Sequence, residues 1–194
     1  MENTIFIDTE TTGLDGKDVA LEIGICDIDC NILFNQRIKP RFKRKWPKAE
    51  RIHHISPDDV KNCPSYIEIE PELIKIIQNR KIVMFNAEFD TEKLYQTARC
   101  YKHSKIKWLE IDTDCCMSTA SEKWPENTNY YCNISLSNAA INAGVENERS
   151  HSAIHDAITT ARVYKYLLEN PPTDEQKHAF NRKYYTAHNC DYLA

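Results

Sequence analysis

Apolar residues cluster in short runs near the start of the chain and in helix-period stripes further along. Thr4-Ile5-Phe6-Ile7, Val19 to Ile28 and Ile32 to Ile38 are rich in β-branched and aromatic residues and are bounded by polar turns, so they predict three strands. The link Asp29-Cys30-Asn31 is tight and polar, which makes these three an antiparallel meander. Pro71 to Asn79 carries Leu73, Ile76 and Ile77 on one face with a proline early, the pattern of a helix. Ile82-Val83-Met84-Phe85 predicts a short buried strand. On the helix after it, Asp90, Leu94, Thr97, Ala98 and Tyr101 share a stripe. Leu109 to Thr113 reads as a further strand, about Asp114 to Lys123 as a helix, and Ser135 to Ala143 as a short helix closed by Gly144. The last long helix opens near Ser152 and runs to about Leu168. Pro171-Pro172 breaks it, and Thr173-Asp174-Glu175-Gln176 has the form of a capping box that starts another. Together these elements predict an α/β chain with a five-stranded mixed sheet flanked by helices, residues 1–168 forming the domain and residues 169–194 a helical tail packed on it.

Acidic residues at interior positions carry the candidate chemistry. Asp8 and Glu10 lie two apart at the end of the first run, so strand alternation points both the same way, where they can hold one cation. Taken alone, such a pair is more often a charged strand end leading into a turn. Glu22 sits in an apolar strand, where a carboxylate is costly without a partner, and it is read as a satisfied acid rather than a ligand. Asp90 points inward from its helix and also needs a partner, which a metal would supply directly or through water. His151 and Asp156 are five residues apart, about 140° around a helix, so they cannot both face one site from helical positions. His151 therefore belongs to the loop before the helix, with Ser152 as N-cap and Asp156 close to the positive end of the helix dipole.

Three stretches occur in a telling order: Ile7-Asp8-Thr9-Glu10-Thr11-Thr12-Gly13-Leu14, then Asn86-Ala87-Glu88-Phe89-Asp90, then His151-Ser152-Ala153-Ile154-His155-Asp156-Ala157. They resemble the three motifs of the DEDDh proofreading-type 3′→5′ exonucleases, a superfamily with a ribonuclease-H-like fold. The stretch from Thr113 to Trp124-Pro125 is most similar to its exodeoxyribonuclease X-like members. A related group carries Tyr where this chain has Ser152. The resemblance implies that Asp8, Glu10 and Asp156 hold one Mg²⁺ or Mn²⁺ ion and that Asp8 bridges to a second, held by Asp90 through water. It implies His151 as general base and nucleoside 5′-monophosphates as products, released from single-stranded or frayed DNA ends. It also implies substrate contacts from Thr11, Leu14, Asn86 and Phe89, and from Ile55, since Ala49 to Val60 is similar to the family's substrate-facing His-Gly-Ile-Thr region with His54 in place of glycine. The same segment is equally a helix cap at Ser56 with Ile52 and Ile55 in the core. An RNA-specific exonuclease on this fold, or a non-catalytic nucleic-acid-binding module, is the alternative; the intact set of five residues argues against the module.

Composition modifies this picture at three points. The 194 residues are 41% hydrophobic and 28% charged, the balance of an ordinary globule, yet the net charge of −4 is unusual for a nucleic-acid binder. The total hides a division, because Lys39, Arg41, Lys43, Arg44, Lys45 and Lys48 crowd into a proline-flanked loop where Phe42 and Trp46 are placed to stack on bases. Lys43 and Arg44 are the candidate phosphate contacts, and a cation-filled acidic site would leave the local field attractive to phosphate. Trp124-Pro125 and Tyr130-Tyr131 read as core or rim packing. The eight cysteines, Cys190 among them, form no pair of C-x-x-C clusters and are expected to be reduced. No leader-like or membrane-length apolar run is present, so a cytoplasmic location is expected. Four glycines exclude a glycine-rich phosphate cradle.

Overall fold

The computed structural model describes residues 3–147 and 151–188; Cys190 lies outside them. One mixed sheet runs in the order β3-β2-β1-β4-β5, with β1 (Thr4–Thr11) at its centre. β1 pairs antiparallel with β2 (Ala20–Asp27), which pairs antiparallel with β3 (Ile32–Arg37), as the meander predicts. On its other side β1 runs parallel to β4 (Lys81–Met84), and β4 parallel to β5 (Thr113–Cys115).

Strand alternation sorts the core into two layers. Ile5, Ile7, Ile23, Ile25, Ile82 and Met84 face α3 (Tyr66–Ile77) and α4 (Ala87–Ala98). Phe6, Cys26 and Val83 face α5 (Cys116–Lys123), α6 (Leu136–Ala143) and α7 (Ala153–Glu169). A smaller cluster of Leu21, Trp46, Ile55 and Val60 seats α1 (Pro47–His53) and α2 (Pro57–Val60) beside β2. The C-terminal helix α8 (Asp174–Ala187) starts at the Thr173–Gln176 capping box and lies against the 3₁₀ turn Pro125–Asn127. There Lys183 Nζ donates to the carbonyls of Pro125 (3.0 Å) and Thr128 (2.8 Å).

Four elements differ from expectation. β1 continues through Thr11, because pairing with β2 carries it past the apolar run and places Asp8 and Glu10 inside the strand. α3 starts at a Ser65–Glu68 capping box, five residues before Pro71, so the proline lies within the helix and removes one of its hydrogen bonds. Leu109 to Thr113 is not a strand. Trp108, fully buried with its indole N–H donating to the Tyr66 hydroxyl, pulls residues 108–110 into a 3₁₀ turn, and the strand forms two residues beyond Ile111. Residues from Pro47 onward leave the basic loop and enter α1.

α1 ends on His54 at φ 59°, the left-handed conformation that glycine adopts without strain. His54→Gly is expected to stabilise the fold by about 1 kcal/mol. In thermal unfolding this reads as a midpoint roughly 2–4 °C higher. A lower midpoint would show that imidazole contacts outweigh the backbone strain. All seven cysteines among the described residues are unpaired. Among those residues no helix is long and apolar enough to cross a membrane.

Candidate active site

β4 stops at Met84, so the second half of β1 has no strand neighbour on that side, and α4 fills the gap. Asp90, buried in the first turn of α4, uses one carboxylate oxygen to accept from the Thr9 backbone N–H (3.1 Å) and the Thr9 hydroxyl (2.7 Å). The partner the sequence demands for Asp90 is therefore in part Thr9. Asp8 and Glu10 share the face of Phe6, where α7 packs.

α7 approaches the sheet over Gly24, the residue directly across from Asp8. A Cβ at Gly24 would lie 2.3 Å from Ile154 N and 2.4 Å from the Ala153 carbonyl carbon, so only glycine permits this approach. Glu22, opposite Glu10 on β2, anchors the helix end. It accepts from Ala153 N–H (3.1 Å) and the Ser152 hydroxyl (3.3 Å) and pairs with Arg37 Nε (2.9 Å), the satisfied acid expected. Asp156, in the first turn of α7, is thereby carried to Asp8 and Glu10, and one carboxylate oxygen from each lies within 4.8 Å of the others.

Burial and mutual repulsion dominate the electrostatics of this cluster. Burial, then the charges of Asp90, Asp156, Glu10 and Glu22, holds the Asp8 carboxyl well above the usual range. Burial and the neighbouring acids push Glu10 up to about 8. Burial pushes Asp90 to about 7 although Thr9 opposes the shift, and burial also raises Asp156. Asp156 Oδ1 is buried with no hydrogen-bond partner. An orphaned oxygen among mutually repelling carboxylates fits a hard divalent cation with oxygen ligands.

His151 lies outside α7 at φ 69°, exposed, with its backbone N–H donating to Asp156 Oδ2 (3.1 Å). His155 is half-buried, and its Nδ1 lies 3.2 Å from the Ser152 hydroxyl.

A cleft of about 700 Å³ adjoins the acids, lined by residues 9–15, Lys43, Lys45, Lys48, Ile52, His53 and Phe89 among others. Thr11, Leu14 and Phe89 are on its wall; Arg44 and Asn86 are not, and Asn86 instead precedes α4 as its N-cap residue. Ile55 is a correction. It is 1% exposed in the small core cluster, because the capping box at Ser56 turns the chain inward, and the cleft is lined by Ile52 and His53 in its place. Ile52, expected in the core if the segment were only a cap, is 54% exposed. Trp46 is likewise buried with its indole N–H donating to the Ile55 carbonyl (2.7 Å), whereas Phe42 is 68% exposed.

Sequence reasoning passed over three residues that shape this region. Gly24 has a legible signal, a glycine inside an apolar strand of a chain with only four. His53 bridges the Thr11 carbonyl (Nε2, 3.0 Å) and the Ile55 N–H (Nδ1, 3.0 Å), and burial lowers its pKa, so the neutral ring with Nε2 protonated fits both bonds. Lys93 reads from sequence as a solvated helix residue, yet it is fully buried.

The mixed sheet flanked by helices, with the acids at the carboxyl end of β1, is a ribonuclease-H-like fold. The RNase T exonuclease family model matches residues 5–164, so the chain belongs to this family of DEDDh-type 3′→5′ exonucleases and is a phosphodiester hydrolase. It is 31% identical over 174 residues to an uncharacterized exonuclease of Escherichia phage 186, covering 87% of this chain and 89% of that one. It is also 31% identical over 173 residues to the DNA polymerase III subunit epsilon of Rickettsia typhi, covering 84% of this chain and 72% of the subunit. Among solved structures, Exonuclease X in complex with 5′-overhanging duplex DNA shares the fold at a TM-score of 0.62 and 23% identity, covering 91% of this chain and 98% of that one.

Proposed function

We propose that the protein removes nucleoside 5′-monophosphates from single-stranded or frayed 3′ ends of DNA, using two Mg²⁺ or Mn²⁺ ions. The observation that carries this reading is the convergence of Asp8, Glu10 and Asp156, with Asp156 Oδ1 buried and unpartnered. Asp8, Glu10 and Asp156 would hold one ion, and Asp8 with Asp90 the second. When bound, such a pair polarises the scissile phosphate and makes an attacking water more acidic. The chain's own residues do the rest. His151 takes the proton of the attacking water on its imidazole as general base. Glu22 and Gly24 hold the end of α7, and with it Asp156, in register with β1. Thr9 fixes the rotamer of Asp90. The cleft beside the acids receives the terminal nucleotide between Leu14 and Phe89. DNA as substrate is supported by the polymerase-subunit relatives.

The test is incubation of the purified protein with Mg²⁺ and matched end-labelled DNA and RNA oligonucleotides. Mononucleotide release from the 3′ end of DNA is expected. Release from RNA alone would reassign the substrate, and binding without release would reduce the chain to a binding module.

The 39–48 loop supplies phosphate affinity in this reading, though unevenly. Lys43 Nζ is bound to the buried Asp18 carboxylate (2.6 Å), whereas Arg44 and Lys45 are exposed. Replacing Arg44 and Lys45 with Ser should weaken oligonucleotide binding and lower the slope of log affinity against log salt by about 1–2, since fewer counterions are released. An unchanged slope would return the loop to a solvated surface.

A further inference from the structure

Lys93 is the one lysine among the described residues with no exposed surface. It projects from α4, three residues after Asp90, and its ammonium donates to the backbone carbonyls of Leu14 (2.9 Å) and Asp15 (2.8 Å). The ammonium also lies 5.3 Å from the centre of the Phe89 ring. Burying an ammonium is costly, and an apolar side chain of the same length would fill the space without that cost. What the charge adds is a fixed relation between two walls of the cleft. Leu14, 81% exposed at the tip of its turn, and Phe89, one turn earlier on α4, both line the cleft, and the same cation touches the backbone of one and the ring of the other.

The turn is held from its other side by Asp18, which accepts from the Thr12 hydroxyl (2.7 Å), the Asp15 N–H (3.0 Å) and Lys43 Nζ. Gly13 completes it at φ 151°, where a Cβ would meet the Asp18 carboxylate at 2.5 Å. With both sides tied, Leu14 is presented rigidly although its side chain stands in solvent.

We propose that Lys93 is a positioning residue that sets the spacing between Leu14 and Phe89 and thereby the grip of the cleft on the terminal base. This rests on the exonuclease reading above. Lys93→Met keeps the stem and removes the donors. It should raise KM for an oligonucleotide with a normal 3′ nucleotide about ten-fold, the scale of lost charged hydrogen bonds, with kcat changed less than two-fold. On an oligonucleotide whose terminal nucleotide lacks its base, wild type and variant should have the same KM. Lys93→Met combined with Leu14→Ala should be no worse than Leu14→Ala alone, because the two act as one unit. Thermal unfolding and Mn²⁺ affinity of each variant show whether fold and ion site are intact. Equal losses on base-bearing and baseless ends, or additive effects with Leu14→Ala, would overturn the assignment and leave Lys93 a structural strut. A variant that fails to fold transfers the test to Leu14→Gly, which loosens the same wall without touching the core, and a Leu14→Gly protein with unchanged base dependence would equally overturn it. Wild-type protein that hydrolyses neither oligonucleotide would instead sink the exonuclease reading.

Discussion

Asp8→Ala is expected to abolish hydrolysis while leaving the metal-free protein at least as stable as wild type. Asp8 is the carboxylate on which both proposed ions converge, and it sits on the central strand among Glu10, Glu22, Asp90 and Asp156, whose charges all raise its pKa. A carboxyl whose folded pKa lies above its unfolded one holds a proton in the native state that the unfolded chain releases. Its penalty is absent below the unfolded value, near pH 4, and grows as pH rises towards the folded value. Glu10 at about 8 and Asp90 at about 7 place the window between pH 4 and 8. Metal-free wild type should therefore lose stability across that window relative to Asp8→Ala, with the mutant a few degrees more stable at pH 8. Saturating Mg²⁺ should remove the difference by stabilising wild type alone. The measurements are single-turnover digestion and melting curves in chelator and in Mg²⁺. A mutant retaining even a tenth of the wild-type rate would defeat the ligand assignment.

His151→Ala should cost about 10² to 10⁴ in rate at neutral pH, the usual scale for removing a general base. The structure separates it from its neighbour. His151 precedes α7 and its backbone N–H bonds Asp156, while His155 is engaged with Ser152 inside the first turn. Single-turnover rates should fall on that scale in His151→Ala and stay close to wild type in His155→Ala. Metal affinity should change little in either variant, because neither imidazole is a ligand in this scheme. The opposite ranking of the two would require the catalytic geometry to be rebuilt around His155.

The placement of the candidate acids and of His151 is legible from short-range rules, while their roles are what the family resemblance implies. Strand alternation puts Asp8 and Glu10 on one face, helix periodicity turns Asp90 inward, and the 140° argument pushes His151 off α7. Each rule needs only neighbouring residues. What was not legible depends on partners distant in sequence. The fifth strand was displaced because Trp108 is held by Tyr66, 42 residues away, and no local pattern at Leu109-Glu110-Ile111 reveals that bond. Ile55 is in the core and Ile52 on the cleft because the turn at His54 and the capping box at Ser56 set which side of the chain meets Leu21. The role of Lys93 is not legible locally, because nothing near it in sequence announces that the Leu14 and Asp15 carbonyls fold back over α4.

The close approach of α7 at Gly24 also makes the acid cluster depend on a late segment of the chain. The bond from Ala153 to Glu22 spans 131 residues, and the same helix end brings Asp156 to acids that left the ribosome first. Until α7 has emerged and settled over Gly24, a nascent chain holds Asp8, Glu10 and Asp90 without their last partner. Neither the growing polypeptide nor a fragment truncated before α7 brings Asp156 to Asp8 and Glu10, so under the proposed ligand set hydrolysis would have to wait for α7 to dock.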